Sequence, residues 1–220
     1  MAGKKYKYIL FDVDGTLTDP KIGIMRSIDW ALKKVGIVEE NFENLARFVG
    51  TGVRKSFMEF YGLDEELAKK ASSYYGRHWS ELGILEADIY PGMGELLAEL
   101  KEQGKRLFVA TSKPTFYANP IMKHWEIDHF FDAIIGSNLD GTRVDKGEVI
   151  SYIFENYIPN VDRNEVVMVG DTVYDIVGAK NNGIDCISVT YGYGIIDELQ
   201  AHEPTLVVDS VKELGDVLKG

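Results

Sequence analysis

The sequence contains a single cysteine, no long apolar run and no segment that resembles a signal peptide. Because Cys186 has no partner for an internal disulfide, the chain suits a reducing compartment, and we expect it to be cytoplasmic. Cys186 lies in the apolar run 184–189, which indicates a buried structural thiol. Apolar runs such as Val166–Val169 are too short to cross a bilayer, so we expect no transmembrane helix and no membrane partner.

Basic residues are also scarce relative to acidic ones. Lysine and arginine total 24 against 35 aspartate and glutamate residues, which gives a net charge of −11. This balance argues against a nucleic acid polymer as partner, since such polymers attract basic surfaces. It permits a small anionic substrate, because a metal ion and a few lysines can reverse the field within a pocket. Three histidines (His124, His129 and His202) lack metal-ligand spacing, so a zinc site is not expected.

Short β-branched runs alternate with amphipathic helical segments along most of the chain, which predicts an α/β fold with a doubly wound, Rossmann-like parallel sheet. The predicted strands are Tyr6–Phe11, Leu107–Ala110, Ala133–Ile135, Val166–Val169, Cys186–Val189 and Leu206–Val208. From about Ile22 to Leu85 the apolar spacing is helical throughout. We therefore expect an α-helical domain, residues 19–84, inserted into an α/β core made of residues 1–18 and 85–220.

The first predicted strand ends in two aspartates spaced two apart, Asp12 and Asp14. Side chains two apart on an extended segment point the same way, so both carboxylates can face one site. Ligand sites in open α/β sheets favour this carboxyl edge. Gly15 then allows a sharp turn. Taken alone, the motif is more typical of a polar turn that closes a strand.

Polar groups also follow two later strands. The second strand runs into Thr111, Ser112 and Lys113, whose hydroxyls and backbone N–H groups precede a helix and suit a phosphate; alone, they are equally typical of helix caps. The fourth strand is followed by Asp171 and Asp175, which the start of a helix would place on one face. An ordinary N-cap explains that pair equally well when it is taken alone.

Lys146 opens a further predicted helix, where it is either a solvated surface lysine or part of the same site. Four carboxylates would then converge on one edge. Two charges ~5 Å apart at an effective dielectric of ~20 repel by roughly 3 kcal/mol, so several such pairs require a cation. A hard dication with oxygen ligands meets this need, and a substrate phosphate favours Mg²⁺ over Ca²⁺.

Together, these motifs resemble the haloacid dehalogenase superfamily, specifically its phosphatase branch with a helical cap inserted after the first motif. The resemblance covers essentially the whole chain. It implies that Asp12 is the nucleophile that forms an aspartyl-phosphate and that Asp14 is the general acid and base. It also implies that Thr111 binds the phosphoryl group, while Lys146 neutralises its charge and orients Asp12.

The resemblance further implies where Mg²⁺ binds: the Asp12 side chain, the Asp14 backbone carbonyl and the Asp171 side chain, with Asp175 in support. The expected enzyme is therefore a hydrolase of phosphoric monoesters whose partner is a small phosphorylated metabolite, acting as a monomer or weak homodimer. The predicted substrate contacts are Thr16, Ser112, Lys113, Arg54 and Arg143.

Two loops suggest how a substrate is bound. In the inserted domain, Gly50 and Gly52 precede Arg54 and Lys55, a pattern that suits closure over an anion but also a helix connection with solvated cations. The segment 137–143 resembles that of 5′-nucleotidases and phosphoglycolate phosphatases. Its Arg143 either contacts phosphate or braces the loop.

Several other functions remain as alternatives. A sugar-phosphate mutase of the same superfamily is one, although phosphatases of this branch commonly carry threonine where Thr16 stands. A dehalogenase is disfavoured because Asp14 is present. A phospho-accepting signalling receiver would place its aspartate after a later strand and lack the helical insert. A catalytically retired binding protein finds no support, since the predicted catalytic set is complete.

Overall fold

The computed structural model describes residues 6–49 and 52–220. These residues form two compact units. The core unit contains the described residues up to Asp19 together with Ile89–Gly220, and the helical unit contains the described residues of Pro20–Asp88. No helix in the described ranges has both the length and the apolar character needed to cross a membrane.

The strands lie where β-branched residues cluster in the sequence. In chain order they are β1 (Tyr8–Phe11), β2 (Thr18–Asp19), β3 (Asp88–Ile89), β4 (Arg106–Pro114), β5 (Ala133–Ser137), β6 (Val166–Gly170), β7 (Asp185–Val189) and β8 (Leu206–Val208). The helices are α1 (Lys21–Lys34), α2 (Val53–Tyr61), α3 (Glu65–Glu81), α4 (Met93–Glu102), α5 (Thr115–His124), α6 (Lys146–Asn156), α7 (Val173–Asn181), α8 (Ile196–Ala201) and α9 (Val211–Lys219).

Six of these strands form one parallel sheet in the order β5-β4-β1-β6-β7-β8. All six strands predicted from the sequence are present, and the predicted doubly wound parallel fold is confirmed. The order places β1 centrally, between β4 and β6, so that the segment after β1 lies next to the segments after both neighbours. The two-residue strands β2 and β3, which form a separate small sheet, were not predicted because so short a run leaves no periodic pattern.

Strand β4 extends further than predicted. The sequence suggests an end at Ala110, whereas β4 continues to Pro114 through an irregularity in its pairing with β5. The residue before a proline favours extended backbone, which keeps Lys113 in the strand and delays α5 until Thr115. Thr111, Ser112 and Lys113 therefore lie on a bulged strand end rather than in a helix N-terminus.

The core unit is held together by apolar side chains from the sheet and from α6 and α7. Leu10, Phe108 and Met168 on neighbouring strands pack against Ile150 and Ile153 of α6, and all five are fully buried. The predicted burial of Cys186 is confirmed, and burial raises the pKa of its thiol.

The helical unit has its own core, which includes Ile28 and Leu32 of α1 and the rings of Phe48 and Phe57. Those two rings lie 5.2 Å apart. Local signals set the helix ends: Gly62 ends α2 in the left-handed conformation, and the Asp64 carboxylate caps α3 by accepting from Leu67 N–H. A separate core of this kind is what an independently packed domain requires.

Candidate active site

The carboxyl ends of β1, β4 and β6 meet at one edge of the sheet. Phe11 is paired with Val109 on one side and Val169 on the other, so the next residue, Asp12, is level with Ala110 and Gly170. Asp12 continues the ladder by donating its N–H to the Val169 carbonyl at 2.9 Å. Its carboxylate Oδ1 accepts from the Val13 N–H at 2.8 Å. The strand order therefore places Asp12 at the centre of this edge.

Lys146, at the start of α6, is buried beside Asp12, with only 2% of its side chain exposed. Three oxygens surround its Nζ: Asp12 Oδ1 at 2.9 Å, Asp175 Oδ1 at 2.7 Å and the Ala110 carbonyl at 2.9 Å. The Ala110 carbonyl accepts a hydrogen bond from Nζ, and the two carboxylates form ion pairs with it. Burial lowers the pKa of Lys146, but Asp12 and Asp175 more than offset that effect and raise it above its ordinary value. Lys146 is thus a charged group that orients two carboxylates.

Asp171, directly after β6, lies against the turn that follows β1. Its Oδ1 accepts from the Thr16 hydroxyl at 3.3 Å, and its Oδ2 accepts from the Tyr193 N–H at 2.8 Å. Gly15 has φ +79°, a conformation that favours glycine, and a Cβ there would lie 2.1 Å from Asp171 Oδ2. Both the backbone conformation and the lack of space therefore require glycine at this position. Burial, followed by the charge of Asp12, raises the pKa of Asp171 to about 7.

Asp175 serves both as a helix cap and as a member of the site. Its Oδ2 accepts from the N–H and the hydroxyl of Thr172, at 3.0 and 2.8 Å, which forms the capping box of α7. Its Oδ1 faces Lys146. The side chain is fully buried, and burial raises its pKa while Lys146 acts in the opposite direction. The N-cap of α7 is Thr172, and Asp175, three residues later, completes its capping box, so Asp175 both stabilises the start of the helix and belongs to the site.

Asp14 has a different partner. Its Oδ2 lies 2.8 Å from Lys113 Nζ, while its Oδ1 is buried and accepts no hydrogen bond from the described residues. Burial raises the pKa of Asp14, and the charge of Lys113 lowers it. A carboxyl group with one oxygen in this setting is suited to holding a proton, which is what a general acid needs.

The carboxylates fit a hard divalent cation. Asp12, Asp171 and Asp175 each offer one oxygen, and these oxygens lie within 4.8 Å of one another. The three buried carboxylates face one buried ammonium, that of Lys146, so negative charge is in excess. Asp175 is paired with the Lys146 ammonium and belongs to the capping box of α7, whereas Asp171 accepts hydrogen bonds only from the neutral groups of Thr16 and Tyr193. Asp12 and Asp171 would therefore be the direct ligands of Mg²⁺. The side chain of Asp14 is not part of this group.

Three further residues of the core unit were predicted to contact the phosphoryl group or the substrate, and their surroundings differ. Thr111 is buried, and its hydroxyl oxygen accepts from the Lys113 N–H at 3.2 Å. Ser112 is exposed. Thr16, predicted to contact substrate, is fully buried with its hydroxyl on Asp171, so we now propose that it supports Asp171 instead.

The two predicted arginines make local contacts. Arg143 donates to the Gly136 carbonyl at 2.9 Å and to Asn138 Oδ1 at 3.1 Å, and its guanidinium lies 4.2 Å from the centre of the Tyr152 ring. These contacts match the loop-bracing interpretation. Arg54 lies in the helical unit and pairs with Glu65 at 3.3 Å. Residues 50–51 of the predicted cap loop fall outside the described residues, so that loop stays a prediction.

Sequence reasoning missed the contribution of Tyr193. The notable segment Tyr191–Gly194 resembles part of a dinucleotide fingerprint, yet it opens no helix. In the structure it follows β7 and brings a backbone N–H to Asp171. The available signal was its position, since a glycine-rich segment after a strand of this sheet lies at the same edge as the aspartates.

Comparison with known proteins identifies the family. Residues 9–189 match the model of the haloacid dehalogenase-like hydrolases. The chain belongs to this family. A 5′-nucleotidase of Pseudomonas aeruginosa is 41% identical over 218 residues, covering 99% of this chain and 98% of that protein. The tyrosine-protein kinase PtkA of Mycobacterium tuberculosis is 34% identical, covering 98% of this chain and 74% of that protein.

Among solved structures, a Clostridium difficile protein named as a candidate phosphatase is similar at a TM-score of 0.92. It is 48% identical, and the match covers 98% of this chain and 99% of that one. The predicted superfamily and the predicted enzyme class, a hydrolase of phosphoric monoester bonds, are confirmed by the family match and these relatives.

Proposed function

We propose that this haloacid dehalogenase-like hydrolase is a Mg²⁺-dependent phosphatase that cleaves small phosphate monoesters through a phosphorylated Asp12. The observation that carries the proposal is the pairing of two carboxylates at the same strand end in different electrostatic settings. Asp12 is held by the Lys146 ammonium, whereas Asp14 has one buried, unpartnered oxygen and a raised pKa. Such a division suits one carboxylate to attack and the other to transfer protons.

The charge of the site supports a phosphate ester as substrate only when a cation is present. Asp12, Asp171 and Asp175 together repel an anion, and the charge of Lys146 is already offset by its ion pairs with Asp12 and Asp175. Asp12 and Asp171 would hold Mg²⁺, which would supply the missing charge neutralisation for the phosphoryl group. Lys113, whose Nζ lies beside Asp14, is the further cation that can meet a phosphate oxygen.

In the first half-reaction, a carboxylate oxygen of Asp12 attacks phosphorus and the bond from phosphorus to the ester oxygen breaks. The departing alcohol takes its proton from Asp14. Lys146 keeps the Asp12 carboxylate in line by contacting Oδ1, and the Val13 N–H binds the same oxygen. These contacts fix the orientation of Asp12 before substrate binds, which reduces the entropic part of the barrier.

In the second half-reaction, Asp14 is ionised and accepts a proton from water. The water oxygen attacks phosphorus, the bond from phosphorus to Asp12 breaks, and inorganic phosphate leaves. Asp14 is then protonated and Asp12 is a free carboxylate, as at the start. The Thr111 hydroxyl, buried at the bulged end of β4, would donate to a phosphoryl oxygen throughout.

For the substrate, we place nucleoside 5′-monophosphates first, because the 41% identical relative is named a 5′-nucleotidase. Phosphoglycolate is the second candidate. The helical unit is inserted into the chain directly after the Asp12 motif. We expect it to select between such leaving groups and to exclude water.

The test is phosphate release from a panel of esters, with Mg²⁺ and with EDTA. The panel contains nucleoside 5′-monophosphates, phosphoglycolate, sugar phosphates, pyrophosphate and a chromogenic ester. Asp12→Asn removes the attacking oxygen while keeping the side-chain volume. Asp162→Asn is the matched control, since Asp162 caps a short surface helix and asparagine is an equally good cap.

We expect Mg²⁺-dependent release by the native chain and by Asp162→Asn, and none above background by Asp12→Asn. Release that survives in Asp12→Asn would contradict the covalent mechanism. A folded, Mg²⁺-binding protein that releases no phosphate would direct attention to the mutase alternative. ATP with a tyrosine-containing peptide completes the panel because one relative is named a kinase; transfer to the peptide instead of water would replace the proposed hydrolysis.

A further inference from the structure

The segment Tyr191–Gly194 packs against Asp171 so closely that side chains are excluded at two positions. A Cβ on Gly192 would lie 2.4 Å from Asp171 Cβ, and a Cβ on Gly194 would lie 1.8 Å from the Asp171 carbonyl oxygen. Contacts this short do not occur between real atoms. The two glycines therefore allow the backbone N–H of Tyr193 to reach Asp171 Oδ2 at 2.8 Å.

Three tyrosine hydroxyls fix this segment in place. Tyr191 donates to the Thr16 carbonyl at 3.2 Å, and Tyr90 donates to the Tyr191 carbonyl at 3.3 Å. The Tyr193 hydroxyl donates to the Asp19 carboxylate. Asp19 is the last residue of the core unit before the chain enters the helical unit. The segment is thus attached at Tyr191 and at Tyr193, the residue whose own N–H contacts Asp171.

We propose that Tyr193 is a positioning residue for the metal site: its hydroxyl, bound to Asp19, keeps its own N–H on Asp171 and so sets the affinity of the site for Mg²⁺. This inference rests on the proposed function, because it assigns Asp171 to the metal. It adds a residue that makes no contact with substrate and that links the metal ligand to the chain exit at Asp19.

The physical reason is orientation of a ligand. Asp171 Oδ1 is bound by the Thr16 hydroxyl, so the Tyr193 N–H on Oδ2 fixes the rotation of the carboxylate. Loss of a group that orients a metal ligand typically lowers affinity by 10–100-fold. Tyr193→Phe leaves the N–H in place and removes only its anchor, so we expect the lower end of that range, about tenfold.

The experiment is titration of the metal-free protein with MgCl₂ in a calorimeter, without substrate. The variants are Tyr193→Phe, Asp19→Asn and the double variant, with Tyr157→Phe, at the C-cap of α6, as the matched control. The midpoint of thermal unfolding in EDTA is measured for each variant. Because Tyr193 and Asp19 act through one hydrogen bond, the double variant should bind Mg²⁺ no more weakly than Tyr193→Phe.

A Kd for Mg²⁺ about tenfold higher in Tyr193→Phe, native in Tyr157→Phe and not further raised in the double variant would support the inference. In steady-state assays, kcat at saturating Mg²⁺ should then stay close to native. A change in Kd below about twofold, or an equal change in Tyr157→Phe, would overturn the inference while leaving the proposed function intact. A native chain that neither binds Mg²⁺ nor requires it for phosphate release would overturn both.

Discussion

Replacing Asp171 by asparagine should abolish Mg²⁺ binding yet stabilise the metal-free protein. In the folded chain, burial and the charge of Asp12 raise the pKa of Asp171 from its ordinary 3.8 to about 7. A group whose pKa is raised by folding adds stability while it is protonated. That contribution is complete below a pH of about 4 and is lost as the pH rises through about 7.

The expected gain in stability follows from the size of the pKa shift of Asp171. At 1.36 kcal/mol per pKa unit, ionised Asp171 costs the folded, metal-free protein on the order of 4 kcal/mol at pH 8. Asparagine is neutral, but it can accept only one of the two hydrogen bonds from Thr16 and Tyr193, which costs about 1 kcal/mol. We therefore expect Asp171→Asn to be more stable than the native chain by about 3 kcal/mol at pH 8 in EDTA.

Denaturant unfolding in EDTA at pH 5 and pH 8 measures this difference. At pH 5 Asp171 is protonated in the folded chain but ionised in the unfolded one, so its cost falls to about 1.6 kcal/mol and the advantage of the variant should shrink to below about 1 kcal/mol. Adding Mg²⁺ at pH 8 should stabilise the native chain but not the variant. An Asp171→Asn protein that is no more stable than the native chain at pH 8, or equally favoured at both pH values, would refute the reasoning.

Two lysine substitutions give further predictions. Lys146→Met leaves Asp12 and Asp175 as buried carboxylates without their cation. In denaturant unfolding, it should therefore destabilise the metal-free protein by about 3–5 kcal/mol. A loss below about 1 kcal/mol would contradict the ion-pair geometry. Lys113→Gln removes the cation beside Asp14, so the pKa of Asp14 should rise further. The basic limb of the kcat profile should then move to higher pH, and KM should increase. An unchanged pH profile would contradict the effect of Lys113 on Asp14, and an unchanged KM would argue against contact between Lys113 and phosphate.

The sequence was sufficient for the sheet and for most of the site because both depend on regular patterns. Six apolar runs gave six strands, and each polar group that follows a strand in a parallel sheet must lie at one edge. The order of the strands, which places β1 between β4 and β6, then brought Asp12 and Asp171 together. Lys146 could be included only through the resemblance to a family, since nothing in its local sequence distinguishes it from a surface lysine.

The partners of individual side chains were beyond sequence reasoning. The contact between Lys113 and Asp14 depends on the bulge that extends β4, and the buried position of Thr16 depends on the turn at Gly15. The contact from Tyr193 to Asp171 joins residues 22 apart through two glycines, and no spacing rule predicts it. These contacts arise from packing in three dimensions, which one-dimensional periodicity does not record.

The central claim, a phosphorylated Asp12, is tested most directly by trapping the intermediate. The native chain is mixed with Mg²⁺ and the best substrate of the panel, quenched in acid within one turnover, digested and analysed by mass spectrometry. We predict that the peptide containing Asp12 carries one phosphoryl group, and that the same peptide from Asp12→Asn carries none. Rapid phosphate release with no modified peptide at any quench time, or a phosphoryl group on a different residue, would contradict the account.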